Sequence, residues 1–118
     1  MRLLFAAGLM ALATACSPSA PALPSAEDIA AESKKLTDYL NGEFEEELAM
    51  NPTMLTSMGR KELYDKLGDF SEADAAKQLE WRRESVAGMK AAVDPAKLND
   101  DAKTSWAIWE LELDRSEL

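Results

Sequence analysis

A chain of 118 residues with 22 acidic against 13 basic side chains carries a formal charge of −9. That balance disfavours nucleic acid, whose phosphates need Lys and Arg, and it leaves no polybasic patch for anionic lipid. With no histidine and a single cysteine, the chain cannot build an imidazole base, a Ser-His-Asp triad, a histidine-ligated zinc site or an intramolecular disulfide.

The N-terminus carries one positive charge, Arg2, followed by an apolar or small run from Leu3 to Ala13 and then Thr14, Ala15 and Cys16. A short basic start, an apolar stretch and small residues before a cleavage point make an export signal. The run falls well short of the roughly 20 residues that a membrane-crossing helix requires. Residues Ala13-Thr14-Ala15-Cys16 resemble the lipobox of bacterial lipoproteins, which implies a signal peptide over residues 1–15 and lipid on Cys16. With Arg2 removed, 12 basic and 22 acidic side chains remain, a charge of −10. Attachment to the membrane would then rest on the acyl chains of Cys16, since several chains hold where one is marginal. Ser17 is not the aspartate that marks inner-membrane retention in enteric bacteria. By that analogy the expected location is the outer membrane, facing the periplasm.

Residues 16–25 hold three of the five prolines and one bulky apolar side chain, Leu23. They read as a semi-extended tether. From Ser25 onward the periodicity is helical. Ser25 and Asp28 form a capping-box pair, and Ile29, Leu36, Leu40, Phe44 and Leu48 recur on one stripe. Gly42 is a place where this helix could break or bend. Asn51-Pro52 ends it and starts a short second helix, with Asn51 as N-cap, that closes at Gly59. Residues 60–70 are rich in turn formers and are left without an element. Ser71 with Asp74 offers another cap, after which Ala75, Leu79, Val86, Met89 and Val93 form a stripe up to Asp94-Pro95. Asn99, with Asp100 and Asp101 in the first turn, opens a last helix bearing Ala102, Trp106, Trp109 and Leu113. No strand-length alternation and no internal repeat appears. The expectation is an all-α fold of three to four amphipathic helices over residues 26–118.

Chemistry-bearing residues are few. The five glycines are scattered, so no phosphate-cradling loop is present. Glu43, Glu45, Glu46 and Glu47 could ligate a hard cation but read better as a solvated face. Asp94, Asp100 and Asp101 lack calcium-loop spacing and read as turn and first-turn residues. No catalytic residue, metal ligand or cofactor site is assigned. Trp106 and Trp109 could line an interaction surface, with core packing the plainer alternative. Trp81, off the main stripe beside Arg82 and Arg83, reads either as an exposed anchor against a further domain or as packing. On the last helix Trp106, Trp109 and Leu113 share a face, while Ile108 and Leu111 point elsewhere. A helix apolar on more than one side expects partners on both, whether a downstream domain or a second copy.

Pro52-Thr-Met-Leu-Thr-Ser-Met-Gly59, then Leu63-Tyr64-Asp65, Leu67-Gly-Asp69-Phe-Ser71 and Leu79, resemble the start of the bacterial proteins known as domain of unknown function, family 885. Val93-Asp94-Pro95, Leu98, Asp100-Asp101 and the helix from Trp106 to Glu112 extend the resemblance, which covers roughly residues 36 to 118. It implies a large, mostly helical exported protein similar to zinc metallopeptidases, whose His-Glu-x-x-His helix lies far downstream. No catalytic residue carries over to this chain. Its helices correspond to an N-terminal region that walls or covers a substrate channel. The favoured expectation is thus the N-terminal piece of a peptidase-like lipoprotein, catalytically empty by itself. The alternative is a stand-alone helical lipoprotein that binds or scaffolds envelope partners.

Overall fold

The computed structural model describes residues 23–118. Four α-helices occur there: α1 (Ala26–Met50), α2 (Pro52–Ser57), α3 (Glu72–Ala92) and α4 (Asp100–Ser116), with a 3₁₀ turn at Pro95–Lys97 between the last two. The described residues contain no strand and the fold is all-α, as expected.

The helix starts follow from short-range hydrogen bonding. Ser25 Oγ accepts from the Asp28 N–H at 3.1 Å, and Asp28 Oδ2 accepts from the Ser25 N–H at 3.1 Å, a complete capping box. At α3 the box is only half made. Ser71 Oγ accepts from Asp74 N–H at 3.1 Å, but Asp74 turns forward to Gln78 and Asp69 takes the Ser71 N–H at 2.9 Å. Asn99 Oδ1 caps α4 by accepting from Ala102 N–H at 2.8 Å, with Asp100 and Asp101 in the favourable first turn.

Two expectations need correction. Gly42 neither breaks nor ends α1, which is continuous from Ala26 to Met50. One glycine costs about 1 kcal/mol relative to alanine, and buried Leu36 and Leu48 hold the helix on either side. Asn51 occupies the N-cap position of α2 but its side chain makes no bond to that helix. Its Nδ2 instead donates back to the Glu47 carbonyl at 3.2 Å, satisfying the end of α1. The end of α2 does fall at Gly59, which adopts φ +80°. There Gly59 N–H donates to Thr56 O and Arg60 N–H to Leu55 O, both at 3.0 Å, the paired bonds of a Schellman motif.

Helices α1 and α3 run antiparallel, as do α3 and α4, so that α1 and α4 lie parallel. Leu36, Met89, Val93, Leu98 and Ala102 form the shared core, with Tyr39, Leu40, Trp106 and Trp109 packed against it. Leu48 and Leu55 are also buried, where α2 folds back on the end of α1. Each such leucine contributes about 1.5–3 kcal/mol by leaving water. Ala75, placed on the core stripe by periodicity, is instead exposed, and burial along α3 is complete only towards its far end, at Ser85, Val86 and Met89 and at the C-cap Val93.

Two serines inside this core join the three long helices. Ser33 Oγ on α1 accepts from the Asn99 N–H at 3.0 Å, fixing the start of α4. Ser85 on α3 serves two neighbours: its Oγ accepts from Trp109 Nε1 at 3.0 Å and its carbonyl accepts from the Tyr39 hydroxyl at 2.8 Å. Among the described residues, no buried side-chain nitrogen or oxygen lacks a partner, so burying these polar groups carries no orphan penalty.

Candidate functional site

The most concentrated polar and aromatic arrangement lies where the C-terminal half of α1 faces α3 and α4. The Arg82 guanidinium carbon stands 5.0 Å from the centre of the Trp81 ring and 4.9 Å from that of Trp109. The two indoles meet edge to face, with centroids 6.4 Å apart and planes at 79°. Glu47 completes the group by pairing with Arg82, and both side chains are mostly shielded, 20% and 12% exposed. Trp81 Nε1 donates to Glu46 Oε2 at 3.3 Å. A cation held between two aromatic faces and a carboxylate gains more than an exposed ion pair does, because neighbouring atoms exclude the screening solvent.

The remaining glutamates of this stretch do not converge on a common point. Glu45 receives Arg60 Nη1 on both its oxygens, at 2.7 and 2.9 Å. The Glu43 carboxylate faces the Tyr39 hydroxyl, which burial first and Glu43 second hold above its ordinary titration range. The four acids therefore act singly, on a tyrosine, an arginine of the loop, a tryptophan and a buried arginine. Among the described residues, no three acidic or cysteine side chains gather as a metal site would require.

Beside Arg82 an open hollow of about 200 Å³ is lined by Glu47, Met50, Gln78, Leu79, Trp81 and Ser116, among others. Its polar groups are already engaged: Gln78 donates to Asp74 at 2.6 Å, and Glu47 is paired with Arg82. What this arrangement does chemically is hold helices together and offer a mixed polar and apolar surface. It contains no nucleophile next to a base.

Cys16 and residues 1–15, where the sequence leads one to expect a signal peptide, lie outside the described residues. Trp106 is half-buried against the core, Trp109 is half-buried and tied to Ser85, and Trp81 is half-buried at the edge of Trp109. Asp94 accepts from the Ala96 N–H at 3.0 Å as a turn residue, and Asp100 approaches Lys103 at 3.6 Å in the first turn of α4. The Arg82–Glu47 pair was not legible beforehand, since 35 positions separate the partners. Only the adjacency of Trp81 to Arg82 hinted at it. Large apolar side chains also stand exposed at Met54 and Met58 around α2, at Tyr64, Leu67 and Phe70 on the loop before α3, and at Ile108 and Leu111 on the outer side of α4.

Comparison with family profiles, with curated proteins and with solved structures finds no match to this chain.

Proposed function

We propose that this chain is a bacterial envelope lipoprotein, anchored through lipid on Cys16 and exposed to the periplasm from the outer membrane. Its helical body is the N-terminal region of a peptidase-like protein of the family 885 type and has no catalytic machinery of its own. The observation that carries the reading is the order Arg2, apolar Leu3–Ala13, then Ala13-Thr14-Ala15-Cys16, followed by a proline-rich tether. The motifs from Pro52 to Ser71 and from Val93 to Glu112 support the family assignment. The absence of histidine from the sequence supports a non-catalytic role, because a zinc peptidase of that type takes two ligands from His-Glu-x-x-His.

A second reading, an envelope scaffolding module acting by itself, is favoured by one observation: α1, α3 and α4 close around a single core whose buried polar side chains are matched. Anchoring is common to both readings and is tested directly. Labelled palmitate should enter the wild-type chain expressed in an enteric bacterium and should not enter Cys16→Ala. A wild-type chain that takes up no label, or a variant that takes up as much, overturns the anchoring.

A further inference from the structure

On the side of α4 turned away from the core, Asp101, Thr104, Ile108, Leu111 and Arg115 follow one another at spacings of three, four, three and four. That is the 3.5-residue seam by which two helices pack side by side. Ile108 and Leu111, 52% and 45% exposed, occupy its middle. Thr104 spends its hydroxyl on its own helix, donating to Asp100 O at 2.9 Å, and so can turn its methyl outward. The opposite side of α4 is already committed to the core through Ala102, Trp106 and Trp109. This outer seam has no partner among the described residues.

The distribution of charge along the seam selects its occupant. On the seam itself acidic Asp101 lies at one end, the apolar pair in the centre and basic Arg115, which also pairs with Glu112 of its own helix at 3.5 Å, towards the other end. A second copy laid alongside in the same direction would set Arg115 on Arg115 and Asp101 on Asp101. Laid in the opposite direction, Ile108 meets Leu111 in both halves, and Arg115 falls opposite Thr104, one turn from Asp101. We propose that the outer seam of α4 is a homodimer interface, in which two copies pair antiparallel about a twofold axis between Ile108 and Leu111. Such an interface is self-complementary, as twofold symmetry demands. About two heptads bury less than the roughly 800 Å² per partner of a standard stable interface, and the two chains carry like net charge. The dimer is therefore weak and forms at high local concentration.

Sedimentation equilibrium of the full chain in a mild detergent, from about 10 μM to about 1 mM, spans the affinity range of weak complexes. A concentration-dependent dimer is expected. Leu111→Asp should weaken it at least about tenfold, a change of about 1.4 kcal/mol. Arg115→Asp and Asp101→Arg should each weaken it, and the double variant should restore it. A monomer throughout the range overturns the proposal and leaves the seam to a different protein. So does a dimer indifferent to Leu111→Asp, or one that either charge reversal leaves unchanged. Circular dichroism of each variant separates loss of pairing from loss of folding.

Discussion

Gly88 and Gly42 are both helical glycines, and replacing each with alanine should move stability in opposite directions. In an open helix the substitution stabilises by about 1 kcal/mol, because alanine has the better helix propensity. Gly42 meets that condition: a Cβ added there has nothing within 4 Å. At Gly88 the same atom would fall well inside van der Waals contact of the Tyr39 hydroxyl oxygen. That oxygen is held by its 2.8 Å bond to the Ser85 carbonyl, so relief requires the ring to swing and the bond to break. Overpacking costs about 1–3 kcal/mol and the lost hydrogen bond about 1 kcal/mol. Set against the propensity gain, Gly88→Ala should destabilise by about 1–3 kcal/mol. For a body of this size each kcal/mol shifts Tm by about 4–8 °C. Urea unfolding followed by circular dichroism measures both variants. Tyr39→Phe supplies the decisive background, since the nearest remaining ring atom, Cζ, is 3.4 Å from the added carbon, close to ordinary contact. In that background Gly88→Ala should cost about 2–4 kcal/mol less than in the wild type. Stabilisation by Gly88→Ala in the wild type, or an equal loss in both backgrounds, would refute the close-approach argument.

Arg82→Ala should cost about 2–4 kcal/mol, because it leaves Glu47 shielded without a cation and removes the wedge between two indoles. The near-ultraviolet circular dichroism of Trp81 and Trp109 should change with it, and Arg82→Lys should recover only part of the stability. A loss as small as that of the exposed Lys34–Asp38 pair, under about 0.5 kcal/mol, would contradict this. Glu32 accepts from the Asp94 N–H at 2.8 Å, and that bond chiefly holds its carboxylate below the ordinary value of 4.5. A carboxylate depressed in the folded state adds stability above its unfolded value, and that stability disappears as pH falls through the folded value. Asp28 and Asp69, lowered by bonds from Ser25 and Ser71, act in the same direction. The urea midpoint should stay level from neutral pH to about 5 and then drop, with a shallower drop in Glu32→Gln. An identical slope in the two proteins would exclude Glu32 from this role.

What the sequence disclosed was what neighbouring residues decide. The caps at Ser25, Ser71 and Asn99 and the stop at Gly59 need only residues three or four positions away, and each was read from its local pattern. The stripes through Leu36, Leu48, Val86, Met89 and Val93 were also legible, since burial imposes a period that survives in the sequence. The side chains that lock the helices together were not. Ser33 and Ser85 are ordinary surface residue types by composition, and only partners 66 and 24 positions away make their burial tolerable. Gly88 reads as a weak helix residue until the Tyr39 ring is placed over it. Asn51 followed the rule for an N-cap, yet two helix ends compete for one side chain there, and the carbonyl of the longer helix prevails. The four glutamates illustrate the same limit. Their clustering in sequence reads as a solvated face, while helical geometry sends them to four different partners.

The two bonds that fasten the link between α3 and α4 to α1, Asp94 N–H to Glu32 and Asn99 N–H to Ser33, bear on how the body assembles as the chain emerges from a ribosome or an export channel. α1 is made first, but the partners of its N-terminal half arrive more than 60 residues later. Until residues 94 and 99 have emerged, Glu32 and Ser33 must stay hydrated, and Leu36 has Met89 and Val93 against it but lacks Leu98 and Ala102. The half of α1 that appears earliest is therefore the part that becomes native last. A chain halted before Val93 should keep α1 paired with α3 around Glu47 and Arg82 while its N-terminal turns remain loose. Assembly closes from the α2 end towards Ser25, against the direction of synthesis.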